Sequence, residues 1–120
     1  MRAWNQYRQE LTPLAAEGRI ELQTIPPECS HNGHMFYIKA ADLEERTRLI
    51  AYLNERGIQA LFHYVPLHSS EGGRLYGRFH GEDKWTTRES ARLVRLPMYY
   101  QISEDEVSCV VQAVRDFYRK

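Results

Sequence analysis

The sequence predicts an α+β fold in which a small, mostly antiparallel sheet is covered by helices. Amphipathic helical stripes lie near both ends of the chain, and short runs rich in β-branched and aromatic residues lie between them. The chain has 120 residues, of which 42% are hydrophobic, and this suffices for one domain with a single core. The expected order is helix, short strand, strand, helix, strand, long loop, short helix, extended segment and helix.

The N-terminal part of the chain predicts a helix followed by a short extended segment. Apolar residues recur at spacings of three and four, which is typical of one buried helical face. The residues of this stripe are Trp4, Tyr7, Leu11 and Leu14. Gly18 is expected to stop the helix, and residues 20–25 supply alternating apolar side chains before Pro26.

The middle of the chain predicts a strand, a helix and a second strand. His34–Lys39 is rich in residues that suit a pleated surface. Asp42 with Glu45 forms the pattern of a capping box, and Gly57 has the place of the glycine that follows a helix. The inward residues are expected to be Leu43, Ile50 and Leu53 in the helix, then Ile58, Ala60 and Phe62 in a strand over Ile58–Tyr64.

The C-terminal part predicts a loop, two helices and an extended link. Val65–Trp85 is glycine-rich and is expected to be a loop of functional importance. Two further capping boxes are predicted, at Thr86 with Glu89 for a helix to about Leu93, and at Ser103 with Glu106 for the last helix. Leu96–Tyr100 is expected to be extended, and the last helix to bury Val107, Val110, Val111, Val114 and Phe117 or Tyr118.

Composition excludes several classes of function. The 16 basic side chains equal the 16 acidic ones, so there is no excess of positive charge to attract nucleic acid or an anionic membrane. No apolar run is long enough to cross a bilayer, and the first residues lack the apolar stretch of a signal peptide. Two distant cysteines indicate a reducing cytoplasm. Eight tyrosines and two tryptophans favour contact surfaces beyond one small core.

Most candidate chemical motifs have a simpler structural interpretation. Cys29–His34 offers three potential metal ligands, one cysteine and two histidines, but no partner pair, so a polar loop that enters a strand is the default expectation. Cys109 is expected to be a small buried residue of the last helix. Gly72 and Gly73 form a lone glycine pair, which is a weak signal for phosphate binding.

The remaining candidates are His63, Tyr64 and His68, at the end of the second predicted strand. Imidazole and phenol groups supply hydrogen-bond donors, acceptors and aromatic faces that suit a sugar or nucleotide better than a bare metal. The alternative is that His63 and Tyr64 simply complete the strand. The residue pattern alone leaves both interpretations open.

Four stretches resemble the C-terminal domain of DegT/StrS-type sugar aminotransferases. They are His34–Ile38, Phe62–His68, Gly77–Asp83 and Arg92–Pro97. The resemblance covers almost the whole chain, and its most family-specific part is Tyr64–His68. It departs from the family at Ser69–Gly72, where a proline is expected after the serines.

The resemblance implies that residues 1–120 are the small C-terminal domain of a fold-type-I aminotransferase, with residues 1–17 as a linking helix. A larger domain, absent from this chain, would bind pyridoxal phosphate through a lysine Schiff base. The implied reaction moves an amino group from glutamate to the C4 ketone of a dTDP-linked 6-deoxy sugar. His63, Tyr64 and His68 would recognise the sugar or pyrophosphate near a homodimer interface, without transferring protons.

None of the lysines has the sequence setting of the family's Schiff-base lysine. They are Lys39, Lys84 and Lys120. The chain alone is therefore expected to bind no pyridoxal phosphate and to be inactive. The alternatives are a stand-alone nucleotide-sugar-binding or dimerisation module and a fragment without a ligand. Without a larger domain, the stripe of the first helix is expected either to be exposed and drive self-association or to dock again elsewhere.

Overall fold

A computed structural model describes residues 1–119 of the chain. Its elements are α1 (Arg2–Ala16), β1 (Glu21–Leu22), β2 (Phe36–Lys39), α2 (Leu43–Asn54), β3 (Leu61–Phe62), a 3-10 turn (Leu67–Ser69), α3 (Glu71–Tyr76), α4 (Thr86–Arg92), β4 (Leu93–Leu96) and α5 (Glu104–Tyr118). The strands form one antiparallel sheet in the order β1-β2-β4-β3. This confirms the predicted fold class.

The centre of the sheet is the pair β2 and β4, whose apolar side chains alternate with polar ones. Phe36 lies opposite Leu96, and Ile38 lies opposite Val94. These four side chains are buried and belong to the same core cluster as the inner faces of α1, α2 and α5. Because neighbouring strand residues point to opposite faces, the period of two places one face of the sheet against the helices.

The stripe of α1 is buried inside this chain, so the expectation that it is exposed is wrong. Trp4, Tyr7 and Leu11 are almost inaccessible to solvent. The Tyr7 ring stacks on Phe36 with 5.1 Å between ring centroids, and its hydroxyl donates a hydrogen bond to the Pro97 carbonyl at 2.9 Å. α1 also packs against α5, whose valines supply the partner surface.

The predicted start and end of α2 are confirmed. The Asp42 carboxylate accepts a hydrogen bond from the Glu45 amide at 2.8 Å, and the Glu45 carboxylate accepts one from the Ala41 amide at 3.0 Å. α2 ends just before Gly57, which adopts a φ of +73° that an L side chain rarely adopts. The Ile58 amide then donates a hydrogen bond to the Leu53 carbonyl at 3.0 Å.

The inner face of α2 differs from the prediction by its first residue. Leu49 and Leu53 are buried, whereas Leu43 is 52% exposed and Ile50 is half-buried. Residues four apart share a face, so Leu49 and Leu53 define the side toward the core. Leu43 begins the helix outside that face.

The predicted strand over Ile58–Tyr64 is reduced to two residues, Leu61–Phe62. Ile58 and Ala60 are buried as expected, but Phe62 is 46% exposed. Ahead of β3 the Asn54 side chain binds the backbone of Ala60. Its oxygen accepts from the Ala60 amide at 3.2 Å, and its nitrogen donates to the Ala60 carbonyl at 3.4 Å. A side-chain amide thus takes the hydrogen bonds that a strand neighbour would take.

Val65–Trp85 is not the continuous loop that the sequence predicts, because it contains the 3-10 turn and α3. The Ser70 hydroxyl accepts a hydrogen bond from the Gly73 amide at 3.0 Å and so caps α3. A Cβ at Gly73 would lie 1.7 Å from the Leu67 carbonyl oxygen. The close approach of two backbone segments therefore explains this glycine.

The structure, which describes residues 1–119, does not contain the capping box predicted at Thr86 and Glu89, so this prediction is wrong. α4 is held from further upstream, because the Asp83 carboxylate accepts hydrogen bonds from the amide and hydroxyl of Thr87. The strand that follows, β4, also lies earlier than the extended segment predicted at Leu96–Tyr100. β4 begins at the residue directly after the end of α4, with no loop between the helix and the strand.

The last helix, α5, closes the core as predicted. The Ser103 hydroxyl accepts from the Glu106 amide at 3.2 Å, and the Glu106 carboxylate accepts from the Ser103 amide at 2.8 Å, which confirms the capping box. The helix buries Val107, Val110, Val111, Ala113, Val114 and Tyr118. Cys109 is exposed, so its predicted burial is wrong. Among the described helices, none has the length and apolar character needed to cross a membrane.

Candidate functional site

The three predicted site residues lie on one stretch that leaves the sheet after β3. Tyr64 is 73% exposed, and the rings of His63 and Tyr64 meet edge-on with 4.5 Å between their centroids. His68 lies in the 3-10 turn and is partly buried. We call residues 63–68 the candidate segment. Its side chains expose aromatic and hydrogen-bonding groups without forming a closed cavity.

His68 belongs to a small polar cluster with residues that the sequence did not predict as site residues. Its Nε2 lies 2.9 Å from the Asp83 carboxylate and 3.4 Å from the Thr87 hydroxyl oxygen. The ring of Phe79 covers the imidazole at a centroid distance of 4.5 Å. The Thr87 hydroxyl holds the pKa of Asp83 below its usual range, and the nearby imidazole acts in the same direction.

The start of the candidate segment is tied to α4 by a different hydrogen bond. The Ser90 hydroxyl donates to the Tyr64 backbone carbonyl at 2.8 Å. Arg46, on α2, donates to the Ser90 carbonyl at 3.3 Å and lies over the ring of Phe62 at 5.3 Å. Burial lowers the pKa of Arg46. These contacts connect the end of β3 to both neighbouring helices.

α4 is fixed to the sheet by a group of charged side chains. The Lys39 ammonium lies 2.6 Å from the Glu21 carboxylate and 2.8 Å from the Glu89 carboxylate. Arg92 pairs with Glu21 and donates to the Ala40 carbonyl at 2.8 Å. Hydrogen bonds from Lys39, and then from Arg88, lower the pKa of Glu89 to about 2. We call Glu21, Lys39, Glu89 and Arg92 the charge cluster.

The described lysines do not fit a covalent pyridoxal phosphate site. Partial burial lowers the pKa of Lys39, but hydrogen bonds to Glu21 and Glu89 outweigh it and raise the pKa overall. An amine held protonated between two carboxylates is a poor nucleophile. Lys84 lies on the surface, 3.4 Å from Glu82. Lys120 lies outside the described residues. That a Schiff-base lysine comes from another domain stays a prediction.

The Cys29–His34 stretch forms a polar loop ahead of β2. His31 packs on the Trp4 ring at a centroid distance of 4.1 Å, and His34 Nδ1 lies 2.7 Å from the Asn32 side-chain oxygen. No group of three or more Cys, His, Asp or Glu side chains is placed to hold a metal ion in the part of the chain that the structure describes.

Exposed apolar side chains are concentrated around the candidate segment. Between residues 61 and 85 they are Leu61, Phe62, Tyr64, Val65, Leu67, Leu75, Tyr76, Phe79 and Trp85. So many large apolar groups in one stretch are typical of a contact surface. We call residues 61–85 the exposed stretch.

One cleft of the domain borders β3 at Leu61 but not the three candidate site residues. It has a volume of about 520 Å³, and Arg56, Arg95, Tyr99 and Cys109 are among its lining residues. His63, Tyr64 and His68 do not line it. Hydrogen-bonding chemistry, rather than enclosure, therefore distinguishes the candidate segment.

The sequence model of the DegT/DnrJ/EryC1/StrS aminotransferase family matches residues 1–115. The chain therefore belongs to this family, and the predicted family resemblance is confirmed.

Individual relatives agree with the fold. The chain is similar to the pleiotropic regulatory protein of Geobacillus stearothermophilus, with 26% identity over 97% of this chain and 32% of that protein. The structure is similar to the aminotransferase TlmJ of Streptoalloteichus hindustanus, with a TM-score of 0.83, 21% identity, and coverage of 98% of this chain and 30% of that one. It is also similar to Bacillus subtilis ntda solved with bound PMP, with a TM-score of 0.75, 23% identity, and coverage of 98% and 27%. The chain thus spans about a third of the length of these relatives.

Proposed function

We propose that this chain acts as the C-terminal domain of a pyridoxal-phosphate-dependent sugar aminotransferase of the cytoplasm. The match over residues 1–115 supports this class, since members of the family are described as aminotransferases. The finer proposal is transfer of the amino group of glutamate to the C4 ketone of dTDP-4-dehydro-6-deoxyglucose. This is the reaction of dTDP-4-amino-4,6-dideoxygalactose transaminase in surface-polysaccharide synthesis, which the sequence resembles over its four matching stretches.

In this proposal His63, Tyr64 and His68 contact the nucleotide sugar. The observation that supports it best is His63 Nδ1, which is buried and has no hydrogen-bond partner among residues 1–119. A buried ring nitrogen left unpaired is costly, and a ligand hydroxyl or a group from another domain would satisfy it. The exposed Tyr64 ring supplies an apolar face with a polar tip for a sugar or base.

The cofactor chemistry belongs to another part of the enzyme. Pyridoxal phosphate supplies the electron sink for amino-group transfer when it is bound. The charge cluster occupies Lys39, and the proposed role of this chain is to contribute substrate-side contacts. We propose that the chain alone is inactive and binds no cofactor.

The alternative function is a stand-alone nucleotide-sugar-binding or dimerisation module. The exposed stretch supports this alternative, because a binding partner would remove its many apolar side chains from water. In this alternative the partner is a second copy of the chain, whereas in the leading proposal it is the rest of the aminotransferase.

Calorimetric titration of the chain with a dTDP-linked 6-deoxy sugar, paired with visible absorbance after addition of pyridoxal phosphate, separates these proposals. Sugar binding without a change in cofactor absorbance supports the module. An absorbance change that shows a covalent bond between the cofactor and a lysine contradicts the proposal that the lysines of this chain do not bind pyridoxal phosphate. In the intact enzyme, a double change of His68 and Tyr64 to alanine is expected to raise the apparent KM for the nucleotide sugar. An unchanged KM contradicts the substrate-side assignment.

A further inference from the structure

α4 touches the candidate segment at both of its ends. Ser90 holds the backbone of Tyr64, while Thr87 of α4 and Asp83, three residues before α4, contact the imidazole of His68. We propose that α4 and the turn that precedes it position the candidate segment for nucleotide-sugar recognition, with Asp83 and Ser90 as the positioning residues. This inference rests on the proposed function of the segment and adds to it two residues and the element that directs it.

The His68 contact determines which ring nitrogen is available to a ligand. An ionised carboxylate only accepts hydrogen bonds, so a ring nitrogen 2.9 Å from Asp83 must carry a proton. Nε2 is thereby committed to Asp83, and Nδ1 is the ring atom left for the substrate. Phe79 limits rotation of the ring from one side. Asp83 therefore fixes which ring nitrogen faces away from the carboxylate and is left for a ligand.

The Tyr64 contact acts on the backbone and not on the ring. The Ser90 hydroxyl fixes the Tyr64 carbonyl at 2.8 Å, while the Tyr64 side chain remains 73% exposed. β3 comprises two residues and provides little support of its own. The hydrogen bond from α4 thus replaces the support of a longer strand and fixes the backbone position from which the Tyr64 side chain extends.

The charge cluster explains how a short helix can act as a support. α4 has seven residues, too few to be stable as an isolated helix. Glu89 pairs with Lys39 on β2, and Arg92 pairs with Glu21 on β1, so two side chains of α4 are fastened to the sheet. Networks of partly buried charges hold geometry better than isolated surface pairs. The path of support runs from the sheet through α4 to the segment.

The test is a double-mutant cycle in the intact enzyme that carries this domain. Asp83→Ala is expected to raise the KM for the dTDP-sugar about tenfold, the size typical of losing a hydrogen bond to a charged group, with kcat and the KM for glutamate little changed. Asp83→Asn, which keeps an oxygen acceptor, is expected to restore most of the affinity. Ser90→Ala is expected to have a smaller effect, about threefold. Glu82→Gln is the matched neighbouring control, since Glu82 is exposed and paired with Lys84.

Measurements in the His68→Ala background distinguish the positioning role of Asp83 from the proposed function of His68 itself. If Asp83 acts through His68, adding Asp83→Ala to His68→Ala changes the KM no further. A full additional effect in that background overturns the positioning role of Asp83. A His68→Ala enzyme with the wild-type KM contradicts the proposed function instead. Nuclear Overhauser contacts from the His68 ring to Phe79 and Thr87 in the 120-residue chain provide an independent readout: their presence supports the geometry and their absence overturns it.

Discussion

The core and the exposed stretch follow opposite physical rules within one short chain. In the core, α1, α2 and α5 cover one face of the sheet, and their apolar side chains are almost fully buried. In residues 61–85, large apolar side chains face solvent, and short elements are held by individual hydrogen bonds. Burial therefore explains the stability of the core, but it does not explain the composition of the exposed stretch.

The largest expected effect separates the two regions by their response to losing an aromatic ring. Phe36→Ala removes a fully buried side chain at the centre of the sheet and is expected to lower the free energy of unfolding by about 3–5 kcal/mol. Tyr76→Ala removes an aromatic side chain that is 90% exposed and is expected to change it little. Urea unfolding followed by circular dichroism measures both. Similar losses for the two variants contradict the division.

A glycine pair tests the packing inside the exposed stretch. Gly73→Ala is expected to disturb the 3-10 turn and α3, at a cost of about 1–3 kcal/mol locally, because its Cβ would collide with the Leu67 carbonyl. Gly72→Ala is the control, since a Cβ there meets no atom within 4 Å. Amide hydrogen exchange in residues 67–76 measures the opening. Unchanged exchange in the Gly73 variant, or equally faster exchange in both variants, would contradict this packing.

Two predicted helix caps, of which one forms, provide a finer comparison. Ser103→Ala is expected to destabilise the chain by about 1 kcal/mol, because its hydroxyl accepts from the Glu106 amide. Thr86→Ala is expected to leave stability nearly unchanged, because Asp83 caps α4. Thermal unfolding of the two variants side by side is the measurement, and an equal loss for both would contradict the assigned caps.

The last comparison concerns the effect of acid on the ion pair that joins Glu89 of α4 to Lys39. The folded-state pKa of Glu89 is lowered from 4.5 to about 2, so its contribution to stability is present above pH 4.5 and is lost as the pH falls toward 2. Glu89→Gln removes this part of the pH dependence, so the variant and wild-type stabilities should converge toward pH 2. Glu82→Gln should follow the wild-type curve. Denaturant unfolding over this pH range measures it, and a constant gap between Glu89→Gln and wild type would contradict it.

The sequence predicted those parts of the fold that depend on local pattern. Residue spacing was enough to predict the capping box at Ser103, the glycine at Gly57 and the buried stripe of α1. The stripe consists of Trp4, Tyr7, Leu11 and Leu14. The errors came from packing and side-chain hydrogen bonds that residue spacing does not show. The Asn54 side chain binds the backbone ahead of β3, and α5 buries a stripe that was expected to lose its partner.

The candidate site shows the same limit. His63, Tyr64 and His68 were found from their residue types and the family resemblance. Asp83, Thr87 and Ser90 were missed, because the sequence does not show that α4 folds back onto the candidate segment. The only local signal was Asp83, whose carboxylate precedes Thr87 by four residues in the manner of a cap.

Hydrogen exchange of the intact enzyme, with and without the dTDP-sugar, tests the central claim most directly. The claim is that residues 61–85 are a contact surface on which His63, Tyr64 and His68 meet the nucleotide sugar. The predicted result is slower exchange over residues 63–68 and the start of α4 when the sugar is added, with the core residues of α1 and α5 unchanged. Slower exchange confined to the cleft around Arg56 and Cys109, with none in the candidate segment, would contradict it.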